Sequence, residues 1–219
     1  MLFFSKFSIK FIMNQYLLKG ILFDFNGVLS NDYFFSCLQD TDSTLYKSIN
    51  KYIFKTRPKL INNWMRGKIT SDKINRIIAK KFNKPYSFIK KSLEDSVRDI
   101  KLNQKILGLV DKFHRDGIKT AVLTDNMDIF TNILVPHKKL YNFFDKIFSS
   151  NEYGKLKEDN SGEFIKEALK SMELNPKNTI LVDDSKNTGV LYKKLGGHFF
   201  HYKNNYEEFK MWLNNFFIF

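Results

Sequence analysis

The sequence predicts an α/β fold in which a parallel sheet is flanked by helices and interrupted once by an inserted helical segment. Short apolar runs rich in β-branched and aromatic residues recur along the chain and end in polar residues. Stretches with apolar residues at helical spacing lie between them, and strands alternating with helices build parallel sheets covered on both faces. About 90 residues separate the first two runs, far more than one crossover helix requires.

Taken in order, residues 19–25 form the first β-rich run, with Asp24 near its end. The long gap that follows, residues 32–102, holds helical stripes and no convincing strand. Leu45, Ile49, Tyr52 and Ile53 make one stripe, Ile74, Ile77 and Ile78 a second, and Phe88, Ile89, Leu93 and Val97 a third. They are expected to pack on one another and to overhang the strand ends. Residues 103–115 place Ile106, Leu109, Val110 and Phe113 on one helical face, and Asp116-Gly117 marks the end of that helix before a second run at 118–124. A shorter run at 146–149 follows. Residues 162–172 carry Phe164, Ile165, Ala168, Leu169 and Met172 at helical spacing, and then come the runs at 179–183 and 198–202. Helical patterns at 188–195 and 206–217 complete the chain, the first closed by Gly196-Gly197. No internal repeat or low-complexity linker interrupts this order.

Composition bounds the function. The chain has 219 residues, 43% hydrophobic and 27% charged, enough to bury a core. Its net charge of +13 and pI of about 9.6 could attract nucleic acid or an anionic membrane. The lysines are scattered rather than clustered, however, and Lys, Asn, Ile, Phe and Tyr are abundant throughout. A nucleic-acid partner is therefore not expected. Cys37 is the one cysteine, so neither an internal disulfide nor a Cys-rich zinc site can form, which suits a cytoplasmic protein. His198 and His201 sit three apart in a strand-like run, pointing to opposite faces, and read as structural.

The N-terminal stretch is apolar but broken by Lys6 and Lys10, so no uncharged run approaches the roughly 18–20 residues that span a bilayer. Residues 1–17 read as an extension. Met13 is an alternative start, and a weak interfacial anchor is a further alternative.

In a parallel sheet, ligands bind outside the carboxyl ends of the strands. Those ends carry Asp24, Thr124 and the pair Asp183-Asp184. In Asp24-Phe25-Asn26-Gly27-Val28-Leu29 the glycine permits a sharp turn that leaves Asp24 at the sheet edge. A lone Asp there also serves as a turn or cap residue. Two adjacent carboxylates repel, and both ionise comfortably only near a cation. Asp184 or Ser185 also suits the N-cap of the helix beginning near Lys186.

Together these segments resemble the haloacid dehalogenase superfamily over about residues 18–202. The resemblance implies a Rossmann-like core at residues 18–31 and 103–219, with residues 32–102 as the helical cap. It implies Asp24 as nucleophile, Thr124 with Asp125 and Asn126 as phosphate- and substrate-binding residues, and Lys157 as the lysine that neutralises phosphate and nucleophile. Lys155 is the competing register, since only alignment on Gly154 prefers Lys157. Mg²⁺ is implied as cofactor, held by Asp24, the Asn26 carbonyl and Asp184, with Asp183 behind them. The stretch from Trp64 to Thr70 resembles a segment common in such caps, and Trp64, Arg66 and Lys68 are its candidates to face the cleft.

One departure narrows the expected chemistry. Phosphatases of this kind carry Asp two residues after the nucleophile, as general acid and base, and Asn26 stands there. An amide cannot shuttle a proton at neutral pH, and such catalysis is worth roughly 10²–10⁴-fold. The expected reaction is hydrolysis of a small phosphorylated metabolite with an activated leaving group, such as a sugar phosphate. The alternatives are a catalytically impaired relative that binds phosphate or a partner, and a 2-haloacid dehalogenase.

Overall fold

The computed structural model describes residues 18–216. The expected extension at residues 1–17, with its alternative start at Met13 and its interfacial anchor, lies outside them, as does Phe217 at the end of the last helical pattern. The first strand, β1 (Gly20–Phe23), is followed by two short helices, α1 (Leu38–Thr41) and α2 (Ser43–Ile49). A π-helical turn, Asn50–Lys55, continues α2 and leads to α3 (Pro58–Met65), α4 (Ser71–Phe82) and α5 (Tyr86–Asp99). Next come α6 (Gln104–Arg115), β2 (Lys119–Thr124), a second π-helical turn at Phe130–Leu134 and α7 (Val135–His137). The chain ends through β3 (Lys146–Ser149), α8 (Ser150–Tyr153), α9 (Glu163–Ser171), β4 (Thr179–Asp183), α10 (Lys186–Lys194), β5 (His198–His201) and α11 (Tyr206–Leu213).

The five strands form one parallel sheet in the order β3-β2-β1-β4-β5. The expected runs for β3 and β4 coincide with the strands, and the other three differ by one or two residues at their ends. Asp24 itself falls just past β1, although its N–H still donates to the Val182 carbonyl at 2.9 Å. Every residue of β1 is buried, because successive side chains enter opposite layers. Ile21 and Phe23 join the cluster containing Phe113 of α6 and Phe209 of α11. Leu22 joins the other, with Phe164 and Leu169 of α9 and Tyr192 of α10. Among the described residues, α6 and α11 thus pack on one face and α9 and α10 on the other.

Helix starts follow local capping chemistry. The Asn103 side chain accepts from the Ile106 N–H at the head of α6. Of the two cap candidates before α10, Ser185 fills the role, accepting from the Thr188 N–H at 3.3 Å.

The segment between β1 and α6 is helical and, among the described residues, contains no strand. It leaves and re-enters at one place, where the Asn103 N–H donates to the Leu29 carbonyl at 2.8 Å and the Lys101 N–H to Asp32 Oδ2 at 2.7 Å. These helices pack on one another, as α4 does on α5, and they also join the core beneath them. Ile49, Ile53, Trp64, Ile78, Leu93 and Val97 belong to the same continuous buried cluster as Ile21 and Phe23. The bridge is physical: α5 packs against the second π-helical turn, whose Phe130 ring meets that of Phe25 edge-on at 4.9 Å. No helix among the described residues is long and apolar enough to cross a membrane.

Candidate active site

Parallel register sets the residues that follow β1 beside the ends of β2 and β4, since Phe23 pairs with both Val122 and Val182. Asp24, Thr124 and Asp183 therefore meet at one edge, at the point where the strand order reverses. One carboxylate oxygen each of Asp24, Asp183 and Asp184 lies within 4.8 Å of the others. The turn after Asp24 must pass close to this group. Gly27 adopts a φ of +77°, and a Cβ there would stand 2.4 Å from Asp184 Oδ2, so only glycine fits.

Lys157 reaches into the cluster from the loop after α8. Its Nζ lies 2.6 Å from Asp183 Oδ2 and 3.1 Å from Asp24 Oδ2, with only 3% of the residue exposed. Its backbone N–H donates to Asp125 Oδ1 at 2.9 Å, which holds the loop against the end of β2. Lys155, the competing register, points elsewhere and pairs with Glu163 and Glu167.

The electrostatics follow from burial. Desolvation pushes the Asp24 carboxyl well above the usual carboxylate range; Lys157 opposes that shift and Asp183 adds to it. Burial works against the Lys157 ammonium, but Asp183, Asp24 and Asp125 outweigh it and raise its pKa. Asp184 is raised by burial and then by Asp183. Asp125 is pushed up to about 6, chiefly by burial. Three carboxylates around one ammonium leave excess negative charge, and oxygen donors in this number suit a hard divalent cation. Thr124 Oγ1 is buried without a well-formed hydrogen bond, although its hydroxyl lies near enough to favour the Asp24 carboxylate. An orphaned hydroxyl beside the acidic cluster fits a site that receives an oxyanion.

Asn26 and Asn126 organise the floor of the site. The Asn126 amide donates to Asn26 Oδ1 at 2.9 Å, and Asn126 Oδ1 accepts from the Met127 N–H at 3.0 Å. Above them opens a cavity of about 380 Å³ between the strand ends and the helical segment. Phe34, Phe54, Ile61, Met65 and Met127 wall it, with Asn26, Asp125 and Asn126 at its base.

The structure redistributes the roles expected in the Trp64–Thr70 stretch. Trp64 is fully buried, and its indole N–H donates to Asp128 Oδ1 at 2.8 Å. Asp128 also accepts from the Ser71 N–H and hydroxyl. Arg66 makes a two-pronged pair with Asp159, at 2.6 and 2.7 Å, and Lys68 is exposed. Neither Trp64 nor Arg66 nor Lys68 lines the cavity; Met65 does. The Met65 carbonyl accepts from the Ser150 hydroxyl at 2.7 Å. Gly67, at a φ of +65°, lies so close to the Asn151 carbonyl that a Cβ would stand 2.4 Å from it. These contacts fasten the helical segment to the loops after β2 and β3. Reading the residues in isolation missed Asp128 and Asp159, because lone acids in polar loops carry no spacing signal.

The two histidines behave as expected in part. His198 Nε2 meets the Lys177 carbonyl at 3.2 Å, whereas His201 Nε2 meets the Asp184 carbonyl at 2.9 Å, so His201 adjoins the acidic loop.

Comparison with known proteins bears on this geometry. The family model described as haloacid dehalogenase-like hydrolase matches residues 21–196. No curated protein matches the sequence. Among solved structures, a predicted HAD-like family hydrolase from Porphyromonas gingivalis is 17% identical, with a TM-score of 0.69, covering 90% of this chain and 98% of its own. A HAD family enzyme from Bacteroides thetaiotaomicron, in complex with magnesium and inorganic phosphate, is 21% identical at a TM-score of 0.64, covering 84% and 93%. L-2-haloacid dehalogenase from Xanthobacter autotrophicus, with chloropropionic acid covalently bound, is 13% identical at 0.61, covering 83% and 76%. At these identities the likeness carries the fold.

Proposed function

The chain belongs to the haloacid dehalogenase-like hydrolase family, and from that premise we propose that it hydrolyses a small phosphate monoester through an aspartyl phosphate on Asp24. The observation that carries this reading is the meeting of buried Asp24, Lys157 and Asp183 with the more exposed Asp184, beside the buried Thr124 hydroxyl. A 2-haloacid dehalogenase would share the nucleophile and the lysine. It would leave the three clustered carboxylates with Lys157 as their close cation and no metal to balance the remaining charge, and that excess favours phosphate.

The Asp24 carboxylate attacks phosphorus in line; a bond from its oxygen to phosphorus forms as the bond to the leaving oxygen breaks. Water then attacks the same phosphorus, releasing inorganic phosphate and restoring Asp24. Lys157 favours the ionised form of Asp24 against its burial and offers its ammonium to the incoming phosphoryl oxygens, and the Thr124 hydroxyl donates to another. Asp24, Asp183 and Asp184, with the Asn26 carbonyl, would hold a Mg²⁺ ion, which when bound supplies positive charge to the phosphoryl group. The helical segment 32–102 acts as a lid that closes the cavity over the substrate and excludes water.

Asn26 cannot donate a proton. Among the described residues Asp125 is the one carboxyl lining the cavity, pushed up to about 6 chiefly by burial, and it is the alternative proton carrier that Asn26→Asp tests. Activated leaving groups need none.

The test is turnover of an aryl phosphate with and without Mg²⁺, by the wild type and by Asp24→Asn. Activity is expected from the wild type with Mg²⁺ alone. Equal turnover by the variant, or activity that survives a chelator, contradicts the reading.

A further inference from the structure

The cavity above the strand ends indicates what kind of leaving group it takes. Its walls are Phe34, Phe54, Ile61, Met65 and Met127. The amides near it already spend part of their capacity: Asn126 donates to Asn26 Oδ1 at 2.9 Å, and the Asn50 amide donates to the Tyr46 carbonyl at 3.0 Å. A polyhydroxylated group placed here would lose water from several hydroxyls with few partners in return. Hydroxyls desolvated without partners are unfavourable, so a sugar is disfavoured and a flat apolar group is not.

The cavity does not end at these walls. Tyr33, Asn50 and Lys55 also border a second, outer cavity of about 750 Å³, which adds Lys47, Lys51 and Thr56. Lys47, Lys51 and Lys55 recur every fourth residue along α2 and its π-helical continuation, and so share one face. Among the described residues, no Asp or Glu lines the outer cavity. On α5, by contrast, Lys90 and Lys91 pair with Glu94 and Asp95 one turn on. The wide turn of a π-helix is uncommon and is often found at functional sites. Here it spans the residues that join the two cavities.

We propose that the substrate is a phosphate monoester of a flat, aryl-type group bearing a second anion at its far end, which the Lys47-Lys51-Lys55 ridge receives. This rests on the phosphatase reading above for the phosphate end only. The apolar walls hold the middle of the molecule, and the ridge selects its outer terminus.

The experiment compares phenyl phosphate, 4-(2-carboxyethyl)phenyl phosphate and glucose 1-phosphate at low salt with Mg²⁺, in the wild type and in the double variant Lys51→Glu/Lys55→Glu. Both substituted side chains are exposed, and circular dichroism verifies folding. KM for the carboxylated compound is expected to lie about tenfold below that of phenyl phosphate, with glucose 1-phosphate weakest. The double variant should shrink that ratio to near one. Equal KM values, preference for the sugar phosphate, or a ratio unchanged in the variant overturns the proposal. If no compound is turned over, calorimetric binding of the same three decides separately. The same ranking then upholds the pocket while hydrolysis fails, and a flat ranking overturns the pocket.

Discussion

Asp24, Lys157 and Asp183 lie at the ends of a sheet, nearly without solvent, each held by backbone or ionic partners. Tyr33, Lys51 and Lys55 lie on the helical segment above them, exposed to water. The first group lies in a low dielectric, where a misplaced charge is costly and geometry is fixed before substrate arrives. The second lies where charges are screened and side chains can move at little cost. The difference teaches a division of labour. On the proposed function, chemistry falls to buried residues gathered at the strand ends, whose positions follow from the sheet, and choice of substrate to residues on a covering layer.

The largest effect should come from breaking the buried side of this contrast. Lys157→Ala leaves Asp24 and Asp183 facing each other without their cation. Removing one partner of such a pair costs about 3–5 kcal/mol, so chemical denaturation in the presence of a chelator should reveal a loss of that order, partly restored by Mg²⁺. Turnover should fall by at least about 10²-fold. Lys55→Ala, on the exposed side, should change stability by less than about 0.5 kcal/mol. Comparable losses for the two would erase the distinction.

A middle-sized effect is expected at Asn26, which stands between the two regions. Asn26→Asp supplies a carboxyl where the cavity floor has an amide, and kcat on simple alkyl phosphates should rise by about 10²-fold. Aryl phosphates, whose leaving oxygen needs no proton, should gain little. A plot of rate against leaving-group pKa, steep in the wild type and flat in the variant, is the readout. No gain on alkyl phosphates would place the acid role on Asp125 instead. The smallest effect is the tenfold substrate preference assigned to the lysine ridge, which tests the covering layer alone.

The same contrast governs what was legible in the residues. The runs ending at Asp24, Thr124 and Asp183 could be read because strands buried on both faces are short, apolar and bounded by polar residues. Topology then brings their ends together without further information. Lys157 and Lys155 were separable only in space, where the first turns inward and the second meets two glutamates on α9. The cavity was not legible. Its lining comes from five stretches, near residues 26, 33–34, 50–61, 65 and 125–127, and no local periodicity reports which side chains converge from separate elements. Trp64 shows the limit most clearly. A tryptophan in an expected cap stretch is one of three candidates to face the cleft, but its indole N–H found a partner in Asp128, 64 positions away, and the neighbouring Met65 lines the cavity instead.

The central claim is that Asp24 becomes covalently phosphorylated during turnover, and it can be observed without knowing the natural substrate. The wild type would be mixed with Mg²⁺ and phenyl phosphate, quenched in acid within milliseconds, digested and examined by mass spectrometry. A phosphoryl group should appear on the peptide containing Asp24, should be absent from Asp24→Asn, and should decay at the rate of phosphate release. Turnover with no phosphorylated peptide, or with the label on any other residue, contradicts the account.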